Sequence, residues 1–149
     1  MFERAQVGFR KLNERAVTPT YGSAYAAGAD LYACTGEDIV IPPHATVLVH
    51  TGIAMEIPEG LVGLIYARSG LASKRDLAPA NKVGVIDSDY RGEIMVALHN
   101  HGELEQRVAG GERIAQLVLT PYVTAVFEQK EELSDTVRGA GGFGSTGTK

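Results

Sequence analysis

The chain has 149 residues, 44% of them hydrophobic and 18 of them glycine, which suits one compact domain of strands joined by tight turns. Fourteen basic against 18 acidic residues give a formal charge of −4, so the overall field repels nucleic acid and any anion site must be a local cluster. Apolar runs such as 61–67 fall far short of membrane-spanning length and the amino terminus lacks a signal pattern, so a cytoplasmic protein with no membrane partner is expected.

In chain order, Asp30 comes first among the informative residues, a lone carboxylate in Ala27-Gly-Ala-Asp-Leu-Tyr-Ala33. A polar side chain among small and apolar neighbours is either hydrogen-bonded or functional, and both readings stay open. Cys34 is the one cysteine, which excludes an internal disulfide, fits a reducing compartment and reads as a small buried residue. Strands are expected at 38–41, 46–51, 53–57 and 61–66, punctuated by Pro42-Pro43 and Pro58-Glu-Gly60. Alternation puts Ile53, Met55 and Ile57 on one face. A short helix is expected over 71–76, capped by Ser69. Strands then follow at 83–86, 93–99, 113–120 and 122–127, with turns at Gly110-Gly111 and Pro121. Eight or so short strands imply an all-β barrel or jelly roll. The charged stretch 128–135 lacks apolar alternation and reads as a linker. The expected organisation is a single domain over 1–149, with a core of about 1–127, a linker of about 128–137 and a flexible Gly-rich arm at 138–149.

Several constellations could carry chemistry. Arg68-Ser69-Gly70 places a guanidinium, a hydroxyl and a compliant backbone after a strand, donors that can converge on phosphate oxygens or simply cap a helix. Gly84-Val-Ile-Asp-Ser-Asp-Tyr-Arg-Gly92 reads as the tip of a β-hairpin between 83–86 and 94–98. On an extended backbone Asp87 and Asp89 would share one side, one as base and the other as support. Gln116 is another isolated polar group, open in the same way as Asp30, whereas Glu112 and Arg113 read as structurally satisfied. His99 and His101 have a spacing that some metal sites use, but with Gly102 following they read as a strand-end turn.

The chain closes on Arg138-Gly-Ala-Gly-Gly-Phe-Gly-Ser-Thr-Gly-Thr-Lys149. Such a composition cannot offset its own ordering entropy, so it should move until something binds it. Phe143 between glycines is of little use to a solvating tail, whereas a lid that stacks on a flat ring needs it. An anionic ligand carrying a flat ring is the natural partner.

Taken together, Ala27 to Ala33, Arg68-Ser-Gly-Leu71, Asn81 with Gly84 to Gly92, Gly111-Glu-Arg-Ile-Ala-Gln116 and Arg138 to Gly147 resemble the five motifs of the trimeric dUTP pyrophosphatase (dUTPase) family, in the family's order. The resemblance implies a distorted jelly-roll or β-clip-like homotrimer with shared active sites, closed by the C-terminal arm. It implies conversion of dUTP and water to dUMP and pyrophosphate, with Mg²⁺, keeping uracil out of DNA and supplying dUMP for thymidylate synthesis. By the same resemblance Asp87 would activate the attacking water, Tyr90 would pack on the deoxyribose, and Asn81 with the backbone around Val85 would read uracil. Arg68, Ser69, Gly70 and Gln116 would contact phosphates or water, and Asp30 would help hold the hydrated metal. In the arm, Arg138, Gly144, Ser145 and Thr146 would enclose the triphosphate end while Phe143 stacks on the base. Residues 75–80 follow no single version of the family pattern, so no contacts are carried over there. The alternatives are a dCTP deaminase-like relative on the same fold, or a nucleotide-gated regulatory binding protein.

Overall fold

A computed structural model describes residues 4–147, and Met1 to Glu3 with Thr148 and Lys149, the ends of the expected core and arm, lie outside the described residues. Among the described residues, eleven strands and one helix are present in this order: β1 (Gly8–Lys11), β2 (Thr20–Tyr21), β3 (Ala29–Tyr32), β4 (Ile39–Ile41), β5 (Thr46–Glu56), β6 (Leu61–Tyr66), α1 (Ser69–Lys74), β7 (Leu77–Pro79), β8 (Gly84–Ile86), β9 (Glu93–Asn100), β10 (Gln106–Val108) and β11 (Arg113–Pro121). They form a four-stranded sheet β1-β5-β9-β7, a five-stranded sheet β2-β3-β11-β6-β8 and the pair β10-β4, with every pairing antiparallel. Non-consecutive strands pair throughout, and one apolar core joins Leu31, Ile65, Ile114 and Leu117 of the five-stranded sheet to Val49, Ile53, Ile94 and Leu98 of the four-stranded one. This is the jelly-roll arrangement expected of the sequence, with its one short helix.

The regular part is β9, where Ile94, Val96, Leu98 and Asn100 are buried and alternate with outward residues. Its last inward residue is polar. Asn100 Nδ2 donates to the carbonyls of Ile41 at 3.0 Å and Leu104 at 2.7 Å, and its Oδ1 accepts from the Gly102 N–H at 3.0 Å. Every polar arm of this buried amide is therefore used.

Two expectations fail here. The runs at 46–51 and 53–57 are not two strands but one, β5, ending at Glu56; Ile53, Met55 and Ile57 all enter the core as expected, although residues 51–54 before Met55 are buried without alternating. The cause is a bulge: the pairing with β9 shifts register between His50 and Ala54. Gly52 sits inside it with φ +67°, and a Cβ there would lie 2.8 Å from Ala16 Cβ and 2.9 Å from Cys34 Sγ. Its N–H donates to Glu93 Oε1 at 2.8 Å, while Glu93 Oε2 faces His50 Nδ1 at 2.8 Å. Burial, reinforced by Glu93 and partly opposed by Arg15, pushes the nearby Cys34 thiol above its ordinary pKa. The second failure is 122–127, which forms no strand. β11 ends at Pro121, and Val123, Val126 and Phe127 are almost wholly exposed.

Candidate functional site

The two ends of β6 hold different chemistry. At its C-terminal end the chain leaves the sheet after Tyr66, and Arg68 becomes the N-cap of α1 in an extended conformation with no side-chain capping bond. The helix thus starts at Ser69, two residues before the expected position, and Ser69 does not cap it. The reason lies in Arg68, whose Nε donates to Asp30 Oδ1 at 2.9 Å. That bond draws the side chain across to β3 and sets the helix origin behind it. Ser69 and Gly70 are left exposed in the first turn. Arg113 Nη1 reaches the other Asp30 oxygen at 3.5 Å, so a residue expected to be merely satisfied joins the same cluster.

Gln116 is the register partner of both Asp30 and Tyr66. Its Nε2 donates to the Ala67 carbonyl at 2.9 Å, which fixes the backbone leading into Arg68. Gly28 provides the room, since a Cβ there would stand 2.3 Å from Gln116 Oε1. Asp30, Arg68 and Gln116 are therefore brought together. Gly28 and Arg113 were missed as parts of this cluster, and the only signal for them was their position two or three residues from a singled-out polar group.

β8 runs antiparallel to β6, with Gly84 opposite Ile65 and Ile86 opposite Gly63. Asn81 consequently lies toward the Arg68 end, its Nδ2 3.4 Å from where a Cβ on Gly84 would be. Asp87 lies at the opposite end, about 15–20 Å away at ~3.3 Å per residue. Within this chain Asp87 and Arg68 do not meet.

The segment from Asp87 to Gly92 is not the tip of a hairpin. β8 pairs with β6, whereas β9 pairs with β5 and β7, so the segment crosses from one sheet to the other. Its two flanking runs look like hairpin arms in sequence, but their inward side chains enter the core from opposite layers. A turn closed by Tyr90 N–H to the Asp87 carbonyl at 3.1 Å curls the backbone, and Arg91 Nη1 donates to the Ser88 carbonyl at 2.7 Å. Extended-strand alternation therefore does not apply to Asp87 and Asp89. Both residues still border one open groove, together with Val85, Val62, Leu64 and Tyr122. Tyr90 is partly exposed, with its hydroxyl donating to the Glu93 carbonyl at 2.8 Å.

The described part of the arm carries its own turns. Arg138 Nε donates to the Gly141 carbonyl at 2.8 Å, Ser145 N–H to Gly142 at 3.0 Å and Gly147 N–H to Gly144 at 2.9 Å. Phe143 is fully exposed at φ +51°, followed by Gly144 at φ +85°. Among the described residues the hydrogen bonds of 138–147 are all local. Arg138, Phe143, Ser145 and Thr146 are all exposed.

The histidines find separate partners. His99 Nδ1 faces Thr46 Oγ1 at 3.0 Å and His101 Nε2 lies 3.7 Å from Asp76. Among the described residues no three His, Cys, Asp or Glu side chains gather as a metal-ligand set, and no helix is long and apolar enough to cross a membrane.

Comparison with known proteins gives a consistent picture. The dUTPase family model matches residues 14–147. A deoxyuridine 5'-triphosphate nucleotidohydrolase of Acinetobacter baumannii is 53% identical over 130 residues, 87% of each chain. That of Syntrophotalea carbinolica is 46% identical over 138 residues, 93% of this chain and 94% of the relative. Among solved structures, the dUTPase of Staphylococcus bacteriophage 80alpha with dUPNHPP superposes with a TM-score of 0.89 at 31% identity, covering 97% of this chain and all of that one. A variant of the phage phi11 dUTPase, described as coordinating a structural Mg(II) ion, superposes with a TM-score of 0.77 at 28% identity, covering 86% of this chain and 98% of that one.

Proposed function

Because this chain belongs to the dUTPase family, we propose that it hydrolyses dUTP to dUMP and pyrophosphate, keeping uracil out of DNA and supplying dUMP for thymidylate synthesis. The observation that carries the reading is the turn at Asp87 between the two sheets, which sets the carboxylates of Asp87 and Asp89 at an open groove, with Tyr90 closing the turn.

Asp87 accepts a proton from a water whose oxygen attacks the α-phosphorus. A new O–P bond forms, the bond from the α-phosphorus to the bridging oxygen breaks, and pyrophosphate leaves. A carboxylate is a weak base, so placement and charge neutralisation carry much of the rate. Arg68 supplies a fixed positive charge, Ser69 and Gly70 supply hydroxyl and N–H donors, and Gln116 orients phosphate or water. Asn81 and the backbone at Val85 read the edge of uracil, while Tyr90 packs against the deoxyribose and excludes a 2′-hydroxyl. Arg138, Gly144, Ser145 and Thr146 enclose the γ-phosphate end, and Phe143 stacks on the base.

The separation of Asp87 from Arg68 supports a homotrimer in which each site draws these residues from different chains. A nucleotide bound at one end of β6 in one chain cannot use both. The exposed apolar stretch through Val123, Val126 and Phe127 is suited to covering a neighbouring subunit. Both Asp30 oxygens already face arginines, and no chelating cluster occurs among the described residues. That donor set fits a hydrated Mg²⁺ carried by the triphosphate and reached from Asp30 through water. When bound, the ion would neutralise phosphate charge. A cytoplasmic location accords with this nucleotide chemistry.

The test is a substrate panel. Purified protein with Mg²⁺ should release pyrophosphate from dUTP and hardly from dTTP, dCTP or UTP. Ammonia release from dCTP would instead establish a deaminase.

A further inference from the structure

Gly92 stands out among the glycines, because its backbone does not ask for one. Its φ lies outside the left-handed region, where Gly52, Gly60 and Gly111 are found, so any residue could adopt it. The nearest obstacle to a side chain there is the Tyr90 ring. A Cβ on Gly92 would lie 2.4 Å from Tyr90 Oη, 2.6 Å from Cζ and 3.0 Å from Cε2, and these are its three nearest atoms. The phenol ring therefore rests on the bare Cα of Gly92. Its far end is pinned by the hydroxyl donating to the Glu93 carbonyl at 2.8 Å. Glu93 is itself anchored, since its carboxylate accepts from the Gly52 N–H and faces His50. The ring thus has a floor at Gly92 and a fixed pin at Glu93, and its remaining surface is open to the outside.

We propose that Gly92 is a specificity-determining positioning residue: the absence of a side chain there sets the height of the Tyr90 ring and so the room left for the pentose. The proposal rests on the reading of Tyr90 as the sugar-packing ring. A methyl group at position 92 would have to displace the hydroxyl by about 1 Å to reach ordinary contact at 3.4 Å. That shift breaks the pin to Glu93 and frees the ring, which no longer separates a 2′-hydrogen from a 2′-hydroxyl by fixed sterics.

The experiment is a double-mutant cycle with Gly92→Ala and Tyr90→Ala, reading kcat/KM for dUTP and UTP together with Tm. Gly92→Ala is expected to lower the dUTP-over-UTP selectivity roughly tenfold, chiefly through a raised KM for dUTP, while the protein stays folded. In the Tyr90→Ala background the same substitution should change neither selectivity nor Tm, because the clash has lost its partner. A Gly92→Ala enzyme with unchanged selectivity, or one equally damaged in both backgrounds, would overturn the proposal. The Tm cycle reads the ring contact without any turnover, so its coupling stands even where the substrate panel fails. Wild-type protein that shows no preference for dUTP over UTP would sink the underlying reading of Tyr90 instead.

Discussion

The two ends of β6 are built in opposite ways. At the Arg68 end, side chains from β3, β11 and the start of α1 hold one another, through Arg68 to Asp30, Arg113 to Asp30 and Gln116 to the Ala67 carbonyl. At the Asp87 end, the turn is held by its own backbone and by Tyr90, and the carboxylates face an open groove. One end is preorganised by polar bonds and the other presents groups with little holding them. A fixed guanidinium suits binding of phosphate charge, whereas a carboxylate free of partners suits proton transfer.

The largest effect that would test this contrast is loss of the proposed base. Asp87→Asn should lower kcat by roughly a thousandfold or more while nucleotide affinity changes only a few-fold, measured by steady-state turnover and equilibrium binding. Arg68→Ala should be inactive for a different reason, weakened binding. Because the two residues lie toward opposite ends of β6 within one chain, refolding the two variants together should restore part of the activity. Mixed assemblies no more active than either parent would break the idea of sites shared between chains.

A smaller change is expected from the arm. Its hydrogen bonds among the described residues are all local, so truncation after Val137 should leave Tm within about 2 °C of the full chain, as for a surface change that removes no core contact. Turnover should nevertheless fall roughly a hundredfold on the proposal that Arg138 and Phe143 help close the site. Full activity in the truncated protein would reduce the arm to a solvated end.

The smallest effect concerns Cys34. Burial raises its thiol, so the folded protein keeps the proton at a pH where the unfolded chain begins to lose it. The sign follows: this contribution is intact below the ordinary thiol range, about 8.5, and declines as pH rises through the folded-state value. Iodoacetamide should accordingly modify native Cys34 more slowly than a free thiol at pH 8. Equal rates would show that the site is more open than its packing against Gly52 suggests.

The sequence was most readable where one local rule acted alone. β9 alternates cleanly because one face meets the core along its whole length, and the strand before Arg68 ends where expected. β5 reads as two strands in sequence because a bulge at Gly52 interrupts the two-residue period, and a bulge depends on what lies opposite. β1 was missed because all four of its residues are exposed, which leaves no apolar pattern to find. Tyr122 to Phe127 has the composition of a strand but pairs with no strand among the described residues and is left exposed. In the candidate site, the residue types at 30, 68, 87 and 116 were legible as chemistry, whereas their division between two ends of β6 depends on the β6–β8 register, a long-range property.

Asn100 adds a constraint of another kind. A hydrocarbon stripe such as Ile94, Val96 and Leu98 tolerates a slip of two residues, because the same face stays inward and one branched side chain replaces another. The buried amide does not. A slipped β9 would carry it away from the Ile41 carbonyl on the distant strand β4, and a buried group left unpaired costs about 1–3 kcal/mol. Asn100 therefore works as a proofreader of strand assembly, rejecting the misaligned neighbours that the oily residues beside it would accept.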